Sequence, residues 1–217
     1  MLTLYALPIS VYSAKVRLAL RIKGIDFEEL SPPDGYGSDN YRAIVASGTI
    51  PAIVTGQGAL FESDAIIEYL EEEWPEPALM PGTALMRAQA RAASGYHDTR
   101  VEPIVRSLFP YVGSVAQNHD EFTRAAALLT DRLSRLAQSH APTPYLAGDH
   151  LSLADLGYPA TLMMAARLLD HGGSKLELPT ELHAWRTLLL TNDLIADQVA
   201  SVEAALNTWI ASKCEAA

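Results

Sequence analysis

Thr49-Ile50-Pro51-Ala52-Ile53-Val54-Thr55-Gly56-Gln57-Gly58-Ala59-Leu60-Phe61-Glu62-Ser63-Asp64 is the stretch on which the fold turns. Two short apolar runs, Ala52-Ile53-Val54 and Ala59-Leu60-Phe61, flank Thr55-Gly56-Gln57-Gly58, which predicts a tight β-hairpin. A proline opening a buried strand cannot donate to the ladder. A cis Ile50-Pro51 bond resolves that conflict. It turns the amide and carbonyl of Ile50 outward, where an extended peptide can pair with them as an added strand. A trans proline that starts an edge strand is the plainer alternative. From Ser63 to Trp74 the apolar residues Ala65, Ile66, Tyr69 and Leu70 recur at helical spacing, with Glu71-Glu72-Glu73 near the end as a solvated face.

Upstream, Leu2, Leu4 and Ala6 alternate with Thr3 and Tyr5 as in a strand, and Ser13 to Lys23 has helical spacing ended by Gly24. Phe27 to Leu30 reads as a second strand, parallel to the first after the helical crossover. Residues 31–40 are a loop rich in Pro, Gly, Ser and Asp, leading to a short helix around Tyr41 to Ala46. Downstream, Pro75, Pro77 and Pro81-Gly82 form a stiff linker. Residues 84–110, 120–139, 152–170, 178–190 and 196–212 all read as helices. The order is βαβ, loop, ββα, linker, helical bundle: an α/β domain over 1–76 and an all-α domain over 84–217.

Composition limits what such a chain does. With 49% hydrophobic and 19% charged residues over 217 positions, it is ordinary for a globular protein and holds no apolar run of membrane-spanning length. Sixteen basic against twenty-six acidic residues give a net charge of −10, which argues against nucleic acid and for a small-molecule partner. The N-terminus lacks the pattern of a secretory signal, so a cytoplasmic location is expected. The single cysteine, Cys214, lies near the C-terminus and excludes both an internal disulfide and a cysteine metal cluster; it reads as an exposed tail thiol, and no metal is expected.

Two places carry chemistry. At the junction Glu62-Ser63-Asp64, free amides at a helix start can bind a carboxylate, Ser63 can act as cap and ligand, and Glu62 can bind an ammonium. Together they fit the amino-acid head of a γ-glutamyl group, although a serine that only caps the helix also satisfies the pattern. The other is Pro8-Ile9-Ser10-Val11-Tyr12-Ser13-Ala14-Lys15-Val16-Arg17. A hydroxyl at such a strand-to-helix turn, near free amides and Lys15 or Arg17, can donate to a thiolate and hold it ionised. Ser10 and Ser13 are the candidates, and ordinary turn serines are the alternative.

With Ile50-Pro51, these motifs and the order of elements resemble the cytosolic glutathione transferase family over essentially the whole chain. Ser10, six residues before Val16-Arg17, falls where serine-type members carry the activating hydroxyl. Ile50-Pro51 is similar to the family's cis-proline element, Glu62-Ser63 to its γ-glutamyl-binding pair, and Ala65 to Leu70 to the helix that follows. The resemblance implies a thioredoxin-like N-terminal domain that binds glutathione as co-substrate through Thr49, Ile50, Pro51, Glu62 and Ser63. It also implies a homodimer, and a detoxifying transfer of glutathione to a hydrophobic electrophile.

Tyr5, at the end of the first strand, is the rival activator. The second-substrate pocket expected between the domains draws on Tyr12, Tyr96, Arg100, Phe109, Tyr111 and Met163. Asp98 is a candidate for reaching the glutathione ammonium of the partner subunit, and His97 reads as a surface or capping histidine. Ser152 and Asp155, preceded by Leu151, have the spacing of a capping box and resemble the family's buried cap, a structural role.

There are departures. Many relatives carry Asn-Pro ahead of the loop, and Lys or Gln two residues before the proline; here Val45, Ala46 and Thr49 stand there. The glycine carboxylate must therefore find another partner, Arg42 or Lys15. Zeta-like isomerases of maleylacetoacetate resemble the chain around Val16-Arg17 but carry Ser-Ser-Cys where Ser10-Val11-Tyr12 stands. An isomerase, a disulfide reductase and a noncatalytic binding protein are the competing readings.

Overall fold

The computed structural model describes residues 2–113 and 119–215. The chain divides into two compact units, Met1–Met80 and Pro81–Ala217.

The first unit begins with strand β1 (Leu2–Tyr5), helix α1 (Val11–Ile22) and strand β2 (Phe27–Leu30). Leu18, Ala19 and Leu20 are buried on α1, and the helix stops where Gly24 adopts φ 64° and Ile25 N–H donates to Leu20 O at 3.0 Å. Helix α2 (Asp39–Arg42) is shorter and earlier than its sequence suggests, because Ser38 Oγ caps it by accepting from Tyr41 N–H at 3.0 Å. Strands β3 (Ala52–Thr55) and β4 (Gly58–Phe61) form the expected hairpin, and helix α3 (Ser63–Glu73) follows.

The sheet order is β2-β1-β3-β4, with β1 parallel to β2 and antiparallel to β3. Tyr5 faces Ala52 in the register, and these two close a small core with Tyr41 and Val45. Helix α3 packs against α1.

At the acidic end of α3, Glu72 and Glu73 form the expected solvated face, and Glu71 alone departs from it. Glu71 accepts from the amides of Leu79 (2.9 Å) and Met80 (3.1 Å) and pairs with Lys23 at 2.7 Å. Lys23, whose side chain is fully buried, also donates to Trp74 O and Pro77 O. The proline segment that ends this unit is thus tied down by one buried ion pair.

The second unit is helical. Helix α4 (Ala84–Tyr96) runs into a π-helical turn (His97–Val101), helix α5 (Glu102–Ser107) and a 3-10 turn (Phe109–Tyr111), where periodicity suggests one continuous helix. Pro103 has no N–H to offer the carbonyl one turn back, and the helix widens just before it. Then come α6 (His119–Ser139), α7 (Leu153–Leu156), α8 (Tyr158–His171), α9 (Thr180–Leu189) and α10 (Asp193–Glu215).

The capping box forms at α7. Asp155, fully buried, accepts from Ser152 N–H and Leu146 N–H at 3.0 Å each and from the Trp185 indole at 2.9 Å. Among the described residues, no helix is long and apolar enough to cross a membrane.

Candidate active site

Ser10 is the N-cap of α1: in extended backbone, its Oγ accepts from Ser13 N–H at 3.2 Å. A hydroxyl has one proton. Because the cap uses the oxygen as acceptor, that proton is left over, and Ser10 is half-buried rather than sealed. Ser13, the other candidate, is fully buried one turn into the helix.

Tyr5 is 9% exposed, its ring 5.3 Å from that of Tyr41. Tyr41 donates its hydroxyl to Thr49 O at 2.9 Å. Burial, and secondarily the neighbouring Tyr5, push the Tyr41 phenol up to about 12. Tyr41 thereby anchors the carbonyl just ahead of Ile50.

The Ile50-Pro51 bond is cis. The pairing of β1 with β3 ends at Tyr5 and Ala52, so Ile50 lies beyond the last partner that β1 provides.

At the start of α3 the chain passes through Glu62 at φ 70°, ψ 115°, a conformation costing a non-glycine residue about 1–3 kcal/mol. Strain of this kind collects at ligand clamps, where the surrounding structure holds it. Glu62 occupies the N-cap position and its side chain makes no cap bond. Ser63 is the first helical residue, so the expectation that it caps the helix is corrected. The residue is 6% exposed and lies inside the first turn rather than at the cap.

The cations are distributed unequally. Lys15, fully buried, pairs with Asp64, and Arg17 makes a two-point contact with Glu29 at 2.6 and 2.7 Å. Lys15 is therefore withdrawn as a partner for a glycine carboxylate. Arg42 is exposed at the end of α2, its side chain lying across Gly48 so closely that an added Cβ there would meet it at 3.0 Å. Among the described residues Arg42 has no ion-pair partner.

This geometry lies within the part of the chain matched by the profile of the glutathione S-transferase N-terminal domain, residues 4–78. Glutathione S-transferase Z1 of Arabidopsis thaliana is 32% identical over 167 residues, covering 71% of this chain and 73% of that protein. The chain belongs to the glutathione S-transferase family. Maleylacetoacetate isomerase of Pseudomonas aeruginosa is 36% identical over 107 residues, 46% of this chain and 50% of the isomerase. The crystal structure of a glutathione S-transferase from Rhodospirillum rubrum superposes with a TM-score of 0.74 at 26% identity, covering 91% of each chain. The fold is that of glutathione S-transferases: a thioredoxin-like unit followed by a helical one.

The candidates for electrophile contact fall in both units. Tyr12 is half-buried in the first turn of α1. In the second unit Tyr96 donates its hydroxyl to Arg132 O at 2.9 Å, Arg100 is exposed in the π turn, and Met163 is 4% exposed in α8. Tyr111 stands on Phe122, and Phe109 packs on Trp209 with centroids 4.7 Å apart. Sequence reading misses Trp209, because nothing local marks which tryptophan of a helix meets a distant phenylalanine.

His97 is not a surface residue. It is fully buried, with Nδ1 2.6 Å from Asp98 Oδ1, Nε2 2.7 Å from Thr161 Oγ1 and its ring edge-on to Tyr158. Asp98 is partly exposed, its carboxylate held by that histidine.

Proposed function

We propose that this protein is a glutathione transferase that ionises the thiol of bound glutathione and aims the thiolate at a small electrophile. Glu62 takes the ammonium of the γ-glutamyl end, and Ser63 with the free amides of α3 takes its carboxylate. Ile50 pairs with the cysteinyl backbone beside Pro51 and Thr49, and Arg42 takes the glycine carboxylate. Ser10 donates its hydroxyl to the sulfur.

The cap geometry of Ser10 carries the reading: an oxygen already accepting from Ser13 N–H at 3.2 Å leaves its proton to be donated to an anion. A thiol with a pKa of about 8.5 is mostly protonated at neutral pH, and lowering that value by one to two units raises the thiolate fraction roughly tenfold or more. The thiol proton leaves to solvent, a sulfur lone pair forms the new C–S bond, and the leaving group departs with its electron pair. Tyr12, Tyr96, Arg100, Phe109, Tyr111 and Met163 serve the electrophile in this reading. It also takes the protein as a cytoplasmic homodimer in which Asp98 of one copy reaches the glutathione ammonium in the other; a sedimentation measurement tests the assembly.

Likeness to the Pseudomonas isomerase favours a second reading. There the thiolate adds reversibly to a cis double bond and is expelled after rotation, with no net transfer. Turnover of maleylacetoacetate without conjugation of chlorodinitrobenzene would select it.

The experiment that tests thiol activation is ultraviolet titration of enzyme-bound glutathione in wild type, Ser10→Ala and Tyr5→Phe. The bound thiol should titrate lower than free glutathione in wild type and return towards it in Ser10→Ala. A shift lost only in Tyr5→Phe would move the role to Tyr5.

A further inference from the structure

The start of α3 carries a carboxylate where the glutathione reading requires an anion to bind. Asp64 is the second residue of α3, directly after Ser63. A negative side chain in a first helical turn suits the helix dipole, yet it also competes with an incoming carboxylate for the same positive end. The rest of that turn contains no cation, since Ser63, Ala65 and Ile66 are neutral.

Compensation comes from α1. The side chain of Lys15 is 0% exposed and its ammonium is bonded to Asp64, whose side chain is 32% exposed. Lys15 lies five positions after Ser10, so the contact joins the helix carrying the proposed sulfur donor to the helix carrying the proposed γ-glutamyl clamp. A buried ammonium requires an anion at hand. Asp64 supplies it, and in return its charge is offset on the side facing the protein.

We propose that Lys15 is a positioning residue that acts through Asp64, neutralising the carboxylate at the start of α3 so that this helix end accepts the γ-glutamyl carboxylate. The inference rests on the reading that the chain binds glutathione. It differs from a simple tether between helices in the signs it gives for individual substitutions. Lys15→Met takes the buried ammonium away from Asp64, raises the negative potential at this helix end and weakens glutathione binding. Asp64→Asn removes the repelling charge and leaves binding at or above the wild-type level, whatever it does to stability. In the double variant Lys15→Met/Asp64→Asn, both charges are gone and affinity returns.

The test is calorimetric titration of each variant with glutathione and with cysteinylglycine, which lacks the γ-glutamyl group, alongside thermal unfolding. Lys15→Met should bind glutathione about tenfold more weakly, with cysteinylglycine unaffected, the double variant should recover most of that factor, and folded Asp64→Asn should bind as wild type although its Tm falls because the Lys15 ammonium is stranded. A tether predicts instead that affinity follows Tm and that the double variant is no better than Lys15→Met; that result overturns the proposal. If neither single variant folds, the double variant decides, since it strands no charge: a tenfold loss of glutathione affinity in folded Lys15→Met/Asp64→Asn, with cysteinylglycine binding unchanged, is equally fatal. Wild type that binds glutathione while Lys15→Met binds it as well removes this inference alone. Wild type that does not bind glutathione removes the functional reading and this inference with it.

Discussion

Ser10 has two roles that a single substitution can separate. As an N-cap its oxygen holds the Ser13 amide, and loss of such a cap costs about 1 kcal/mol. As the proposed thiol donor its proton matters instead. Ser10→Asn keeps a cap acceptor and lacks the hydroxyl, so it should unfold close to wild type while losing about a hundredfold in kcat/KM for chlorodinitrobenzene. Equal loss of stability and activity would mean that Ser10 only caps. Tyr41 gives a prediction of different kind. Its folded pKa of about 12 exceeds the unfolded value, so the stabilisation is complete below that unfolded value and is lost as pH rises through about 12. Alkaline spectrophotometric titration should show a late group of tyrosines, among them Tyr41 and Tyr158, whose phenol burial raises well above the ordinary value, and Tyr41→Phe should take one phenol out of that late group.

Among the elements, the junction between α7 and α8 packs so closely on His97 that Gly157 has no room for a side chain. A Cβ on Gly157 would meet the His97 ring at 2.8 Å, whereas one on Gly95 in α4 would meet nothing within 4 Å. Gly157→Ala should therefore destabilise by about 1–3 kcal/mol through overpacking. Gly95→Ala should stabilise by roughly 0.5–1 kcal/mol, because alanine loses less backbone freedom in a helix. Urea unfolding of both variants checks the opposite signs. The β-hairpin, α1 with its Gly24 stop and the Ser152–Asp155 box were legible in the sequence, because each is made by residues close along the chain. The division of residues 84–110 and the burial of His97 were not. They depend on Pro103 inside an apolar periodicity and on Thr161 sixty-four residues away.

At the scale of the whole molecule, the stiff proline segment at the end of the first unit is held by an ion pair. Lys23 and Glu71, with side chains 0% and 16% exposed, hold Trp74 O, Pro77 O and the amides of Leu79 and Met80. Removing one partner strands the other's charge in the interior, at a cost of about 3 kcal/mol or more. Lys23→Met should lower the unfolding midpoint by several degrees, and Glu72→Gln, exposed on the same helix, should leave it nearly unchanged. Scanning calorimetry of the two variants distinguishes a structural strut from a merely acidic surface.

By itself the sequence determined the order of elements, the hairpin that begins at Pro51, the helix start at Glu62-Ser63 and the family these motifs resemble. Such features follow from turn chemistry, periodicity and spacing, which act over a few residues. Tertiary structure alone decided which charges are spent and which remain at the surface. Lys15 finds Asp64, Arg17 finds Glu29 and Lys23 finds Glu71, while Arg42 is left exposed beside Gly48. Each pairing joins positions far apart in the chain, and a side chain's charge has no local signature of the partner that will be packed against it.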